Sequence, residues 1–205
     1  MEVSFSSLSA TRNCHRSWLN KQCGFKKTDF WYFGKGKENH RIIQDHIAGI
    51  KKDPRLEKLT CSFPIVEVED FDPRCKFQFE VKGATVIGYF DGRNPEEKRL
   101  CEIKISNTLW SLEKYYKSMQ RKINAAAFPD HTEGILITAS YDFSKLKTAS
   151  VPMTEKDRTE ALEWIEDTLK IINSGKFEKE GENVDCQRCV YQNSCSESSY
   201  GRKES

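Results

Sequence analysis

No stretch of the 205-residue chain approaches the ~20 consecutive apolar residues that a bilayer-spanning helix needs. The opening MEVSFSSLSATRNCHR has no basic segment followed by an apolar one, so no secretory leader is expected. The expected location is a reducing cytoplasm, a host's cytoplasm if the chain is viral, and no membrane partner is expected. Charge of one sign is also missing. Lys plus Arg is 33 against 31 for Asp plus Glu, a net charge of +2, which excludes a wholly basic nucleic-acid coat but not a local basic groove. There is no internal repeat and no long low-complexity tract.

What is present describes a folded protein. Hydrophobic residues are 37% and charged residues 31%, with 12 Phe, 7 Tyr and 4 Trp, too apolar and aromatic for a disordered chain. The length suits one domain, 1–205, or one domain with a small appendage, with a fraying tail over 197–205. In a reducing compartment, 8 cysteines read as ligands or buried thiols rather than disulfides.

The pattern predicts a helix over 7–22, capped by Ser7 or Ser9 and carrying Cys14 and Trp18 on one face. A second helix is predicted over 35–51, where Ile43, Ile47 and Ile50 recur at helical spacing and His40 shares the buried edge. Strands are predicted over 63–70, 75–82, 84–91 and 99–106, with a tight turn at Lys82-Gly83. A helix over 109–128 follows, then a buried, parallel-type strand over 134–141 and a capped helix over 154–173. The fold class is therefore α/β, a mixed central sheet flanked by helices.

The most informative residues are Asp91 and, ten positions on, Cys101-Glu102-Ile103-Lys104. On a strand, Glu102 and Lys104 share one face while Cys101, Ile103 and Ile105 take the other. A hairpin-like connection brings Asp91 beside Glu102. Two carboxylates on neighbouring strands suit a hard cation such as Mg²⁺ or Mn²⁺, and a lysine beside it can orient water. This is equipment for phosphodiester hydrolysis, set against the plainer reading of a Glu–Lys pair on an exposed sheet face.

Asp91 with Glu102-Ile103-Lys104 resembles the PD-(D/E)XK nuclease signature, and the upstream helix with Gly36 and His40 resembles the histidine motif of its RecB-like branch. The resemblance implies that His40, Asp91 and Glu102 hold the catalytic metal and that Lys104 positions the attacking water. The branch carries Q-x-x-x-Y on the helix after the lysine strand. Here Gln120 takes the first place and Asn124 stands where the tyrosine would be, with Tyr116 a candidate for the missing ring. Lys114, Lys117 and Arg121 on the same helix form a basic ridge that could track DNA phosphates. Trp31, Tyr32, Phe33 and Trp110 could stack bases, although core packing is the plainer role.

Near the end, Cys186, Cys189 and Cys195 form C-x₂-C-x₅-C, which needs a fourth ligand; Cys14 is the candidate. Cys₄ suits zinc or an iron–sulfur cluster. The arrangement is similar to that of the iron–sulfur nucleases of the RecB-like group, including the CRISPR-associated exonucleases (Cas family four). That resemblance implies a cluster, [4Fe–4S] rather than [2Fe–2S], with zinc as the fallback. It would staple 1–25 to 176–196 as a cysteine lobe. It also implies exonuclease action on single-stranded DNA or strand ends, 5′ to 3′ or with endonuclease activity. A CRISPR integrase complex is an implied partner in that setting, as is viral DNA metabolism in another. Homo-oligomer formation stays open. The residues also leave room for a non-catalytic DNA-binding or scaffold subunit that keeps the fold and cluster, and for a zinc-stapled protein with an incidental E-x-K.

Overall fold

A computed structural model describes residues 1–24, 32–66, 75–177, 181, 191 and 195, without the side chains of Tyr32 and Phe33. Trp31 lies outside the described residues. The chain divides into two compact units. One holds the described residues of 1–31, 80–86 and 163–205; the other holds those of 32–79 and 87–162.

In the first unit, the predicted helix over 7–22 is two. α1 spans Phe5–Asn13 and α2 spans Arg16–Gln22, and extended backbone at Cys14 separates them. The cap is Ser4, at the end of a short strand β1 (Glu2–Ser4): its side chain accepts the Ser7 N–H. Trp164 packs beside Phe5, ring centroids 6.4 Å apart, with the Arg12 guanidinium 5.9 Å from its centroid.

α3 runs Tyr32–Ile47, ending before Ile50, which is 59% exposed rather than part of the buried stripe. The hairpin at Lys82-Gly83 joins β3 (Lys76–Val81) to β4 (Ala84–Tyr89). Both turn residues have positive φ, 49° and 75°, as a two-residue loop between twisted strands requires. β1, β4 and β3 form a three-stranded sheet.

The second sheet has the order β2-β5-β6-β7-β8, built from Ile65–Val66, Gly92–Asn94, Arg99–Ile105, Glu133–Ala139 and Leu146–Pro152. Residues 67–70 of the predicted 63–70 strand lie outside the described residues. β6 and β7 are parallel, Glu102 opposite Leu136 and Lys104 opposite Thr138, and the other pairs are antiparallel. The apolar run of β7 is buried as its composition predicts, while β8, polar at every second position or more often, escaped the pattern.

One face of β6 gives Cys101 and Ile103 to a core shared with Ile43 and Ile47 of α3 and Ile135 and Ile137 of β7. Each such aliphatic side chain contributes ~1.5–3 kcal/mol by leaving water. A second cluster joins Tyr115, Leu136 and Val151.

The predicted 109–128 helix is broken into α4 (Leu112–Tyr116) and α5 (Met119–Ala127) by extended backbone at Ser118. Arg121 explains the break. Its guanidinium donates to the Tyr116 carbonyl from Nε at 3.2 Å and Nη2 at 2.9 Å, occupying an acceptor that a continuous helix would use for the residue four positions on. α6 (Glu155–Ser174) opens with a reciprocal capping box. Thr154 Oγ1 accepts the Asp157 N–H at 3.2 Å, and Asp157 Oδ2 accepts the Thr154 N–H at 2.9 Å. Gly175, at φ 68°, follows its end.

Candidate active site

Asp91 lies between β4 and β5, next to the centre of β6. Its Oδ2 accepts the Ile103 N–H at 2.6 Å and stands 3.3 Å from His40 Nε2 on α3. Gln44, one helical turn after His40, donates from Nε2 to the Asp91 carbonyl at 3.0 Å. The i, i+4 spacing of His40 and Gln44 therefore grips one residue through both its side chain and its backbone. Gln44 is a buried positioning residue that the sequence reading missed; its spacing from His40 was the available signal.

Glu102 is 1% exposed. The Lys104 ammonium stands 2.7 Å from Glu102 Oε1 as a charge pair, off the direction of a hydrogen bond, and neither Glu102 oxygen receives one. Lys104 does donate to Gln120 Oε1 at 2.9 Å, and its ammonium lies 5.1 Å from the Trp110 ring centroid. The Trp110 N–H donates to Thr138 Oγ1 at 3.1 Å, tying that ring's backbone to β7.

The two carboxylates are driven apart. Burial pushes Glu102 above the ordinary carboxylate range; Lys104 opposes this and the nearby Asp91 charge adds to it. Burial acts upward on Asp91 too, but His40, Lys104 and the Ile103 N–H together outweigh it and hold its pKa below the ordinary value. Such divergence is typical of carboxylates with different tasks.

Of the three implied metal ligands, His40 and Asp91 face each other, while Glu102 is paired with the Lys104 ammonium. Among the described residues, no three His, Cys, Asp or Glu side chains form a group able to hold a metal ion. The donor chemistry still fits a hard divalent cation. Two carboxylates and an imidazole are suitable ligands, and Glu102 Oε2 is a buried carboxyl oxygen with no donor.

The basic ridge needs correction. Lys114 is exposed, its ammonium 4.2 Å from the Trp110 centroid, and Lys117 is exposed and paired with Glu113 at 2.7 Å. Arg121 points inward instead: it is 1% exposed, donates to the Pro152 carbonyl at 3.0 Å and makes a two-pronged ion pair with Asp157. It joins α5 to the start of α6 and cannot meet a DNA phosphate. Tyr116 is 50% exposed and stacks near Arg121, centroid distance 5.0 Å, while Asn124 is buried.

Of the four implied cluster ligands, Cys186 and Cys189 lie outside the described residues. Cys14 and Cys195 are free thiols in the same unit. Burial pushes the Cys14 thiol up, opposed by the Arg16 and Ser17 N–H groups at the start of α2, and charge on Cys195 adds a smaller upward contribution. Gly181 crosses the carbonyl end of α1 where a Cβ would stand 2.6 Å from the Asn13 oxygen, and its φ of 150° favours glycine independently.

No family model matches the chain, and no curated protein matches its sequence. Solved structures do match its fold. SSO0001 aligns over 95% of this chain and 86% of its own, at 17% identity and TM-score 0.58. A protein of Eubacterium rectale, provisionally named an exonuclease, aligns over 90% and 86%, at 13% identity and TM-score 0.54. LHK-Exo in complex with dAMP aligns over 84% and 88%, at 14% identity and TM-score 0.52. The chain thus shares the mixed α/β fold of these structures. Among the described residues, no helix is long and apolar enough to cross a membrane.

Proposed function

We propose that the chain is a metal-dependent DNA exonuclease of the PD-(D/E)XK type. The observation that carries this reading is the convergence of Glu102, Lys104 and Gln120 on one side of β6, beside Asp91 held by His40. The fold shared with proteins named as exonucleases, one of them bound to a deoxynucleotide, supports DNA as substrate.

Glu102 and Asp91 would hold Mg²⁺ or Mn²⁺, with His40 as the nitrogen ligand. Such an ion polarises a phosphoryl oxygen and lowers the pKa of bound water. Lys104, fixed by Gln120 and partly exposed, orients the attacking water or a non-bridging oxygen. Glu102, 2.7 Å from the ammonium, helps hold the lysine in place.

Cys14, Cys186, Cys189 and Cys195 would hold an iron–sulfur cluster joining the chain's two ends, a structural role. A place in CRISPR spacer acquisition, trimming DNA for an integrase, belongs to the same reading. The test is digestion of end-labelled single-stranded DNA by anaerobically prepared protein. Stepwise shortening only with added Mn²⁺ or Mg²⁺ supports the reading. Salt-sensitive binding without shortening would replace it with a non-catalytic DNA-binding subunit.

A further inference from the structure

A second polar feature lies outside the carboxylate site. At the carboxyl ends of the parallel strands β6 and β7 is a cleft of about 530 Å³. Among the described residues, its lining includes four cationic side chains, Arg55, Lys58, Lys145 and Lys147, and no carboxylate. Asn107 and Thr108 add neutral hydrogen-bonding groups. Arg55 is the one already engaged, paired with Asp53 and lying 4.6 Å from the Phe143 ring centroid. The three lysines are exposed.

The walls are set in place rather than loose. In the 140–145 loop, Asp142 Oδ1 accepts from Ser140 Oγ at 2.6 Å, the Ser144 N–H at 3.1 Å and Ser144 Oγ at 2.8 Å. Phe143, buried in the core, holds φ at 59°, a conformation a bulky residue keeps only when its surroundings require it. The consequence is that Ser144, Lys145 and Lys147 are presented on one rim. Ends of parallel strands are a favoured place for ligands in α/β sheets.

We infer that this cleft binds the phosphate backbone of a DNA strand. Asn107 is three residues beyond Lys104, so the cleft begins within roughly 10 Å of the lysine strand position. The inference rests on the proposed nuclease reading for its substrate, and its lysines contact DNA away from the reacting atoms.

The experiment uses the full chain in EDTA with a fluorescent 20-nucleotide single strand. Anisotropy gives Kd from about 50 to 200 mM salt for wild type, the triple variant K58A/K145A/K147A, and the control K156A on the exposed face of α6. Cleavage in Mn²⁺ is measured in parallel on the oligonucleotide and on the p-nitrophenyl ester of thymidine 5′-phosphate, too short to reach the cleft. Each lost phosphate contact on a single strand lowers the log–log salt slope by about 0.7. The triple variant should therefore lose about two from the slope and bind roughly 10- to 100-fold more weakly near 100 mM salt. K156A and ester hydrolysis should be unchanged. If wild type binds and cuts and the triple variant matches it, the inference is overturned and the nuclease reading stands. If wild type binds with the expected slope loss in the variant but never cuts, the cleft is supported and the nuclease reading fails. If wild type does not bind DNA, the inference falls.

Discussion

Lys104 and Gln120 meet across 2.9 Å, so the ammonium on β6 is held by an amide 16 positions later on α5. The break in the helix before α5 is what allows this placement: Arg121 anchors the new helix, and Gln120 beside it faces the lysine. On the nuclease reading proposed above, Gln120 positions the lysine that would orient the attacking water. Gln120→Ala should lower kcat roughly 10- to 100-fold, consistent with the sensitivity of reactions to misplacement of about 1 Å. Melting temperature should stay nearly constant. A Tm loss that tracks the activity loss would assign Gln120 to stability instead.

Glu102 gives a prediction with a defined sign. A carboxyl whose folded pKa is raised contributes stability that is present below its unfolded value and lost as pH rises through the folded one. Replacing it by a neutral isostere removes this penalty at alkaline pH. In EDTA at pH 8, Glu102→Gln should have a higher Tm than wild type. The advantage should shrink at pH 5. Added Mn²⁺ should raise the Tm of wild type and leave the variant unmoved. A variant less stable than wild type at both pH values would contradict this account.

Sequence patterning located much of this. The alternation in CEIKIS places Glu102 and Lys104 on one face and Cys101 and Ile103 in the core, and β7 is buried and parallel as its apolar run suggests. Arg121 was misread because charge on a helix face says nothing about a buried partner; Asp157, 36 positions away, supplies it. Gln44 and the cleft lysines were missed for a related reason. Their neighbours come from β4–β5, β6 and β8, and only tertiary packing unites them.

The Arg121–Asp157 pair is itself testable. Removing one partner of a buried ion pair typically costs about 3–5 kcal/mol. Arg121→Ala should unfold at correspondingly lower urea, and Arg121→Lys should rescue little because it cannot reproduce the two-pronged contact. Burial acts upward on Asp157, but Arg121 and Thr154 hold its pKa down to about 2. The pair's contribution is therefore present above about pH 4 and lost as pH falls toward 2. In the Arg121→Ala protein, stability should depend less on pH across that window.

The cysteine reading separates from the active-site reading by composition alone. Cys14→Ser and Cys195→Ser should each lose iron and visible absorbance from anaerobic preparations, whereas Cys23→Ser, at an exposed thiol, should retain both. Equal metal content in all three would remove Cys14 and Cys195 from the ligand set. Zinc in place of iron would make the centre a structural zinc site.

The central claim is that the carboxylate–lysine site on β6 hydrolyses DNA with a divalent cation. The most direct measurement compares wild type with Glu102→Gln on end-labelled single-stranded DNA, with and without Mn²⁺, after circular dichroism has established that both are folded. The account predicts metal-dependent shortening by wild type and at least a 1,000-fold slower reaction in the variant, about 4 kcal/mol in barrier height. Shortening by folded Glu102→Gln at the wild-type rate would contradict it.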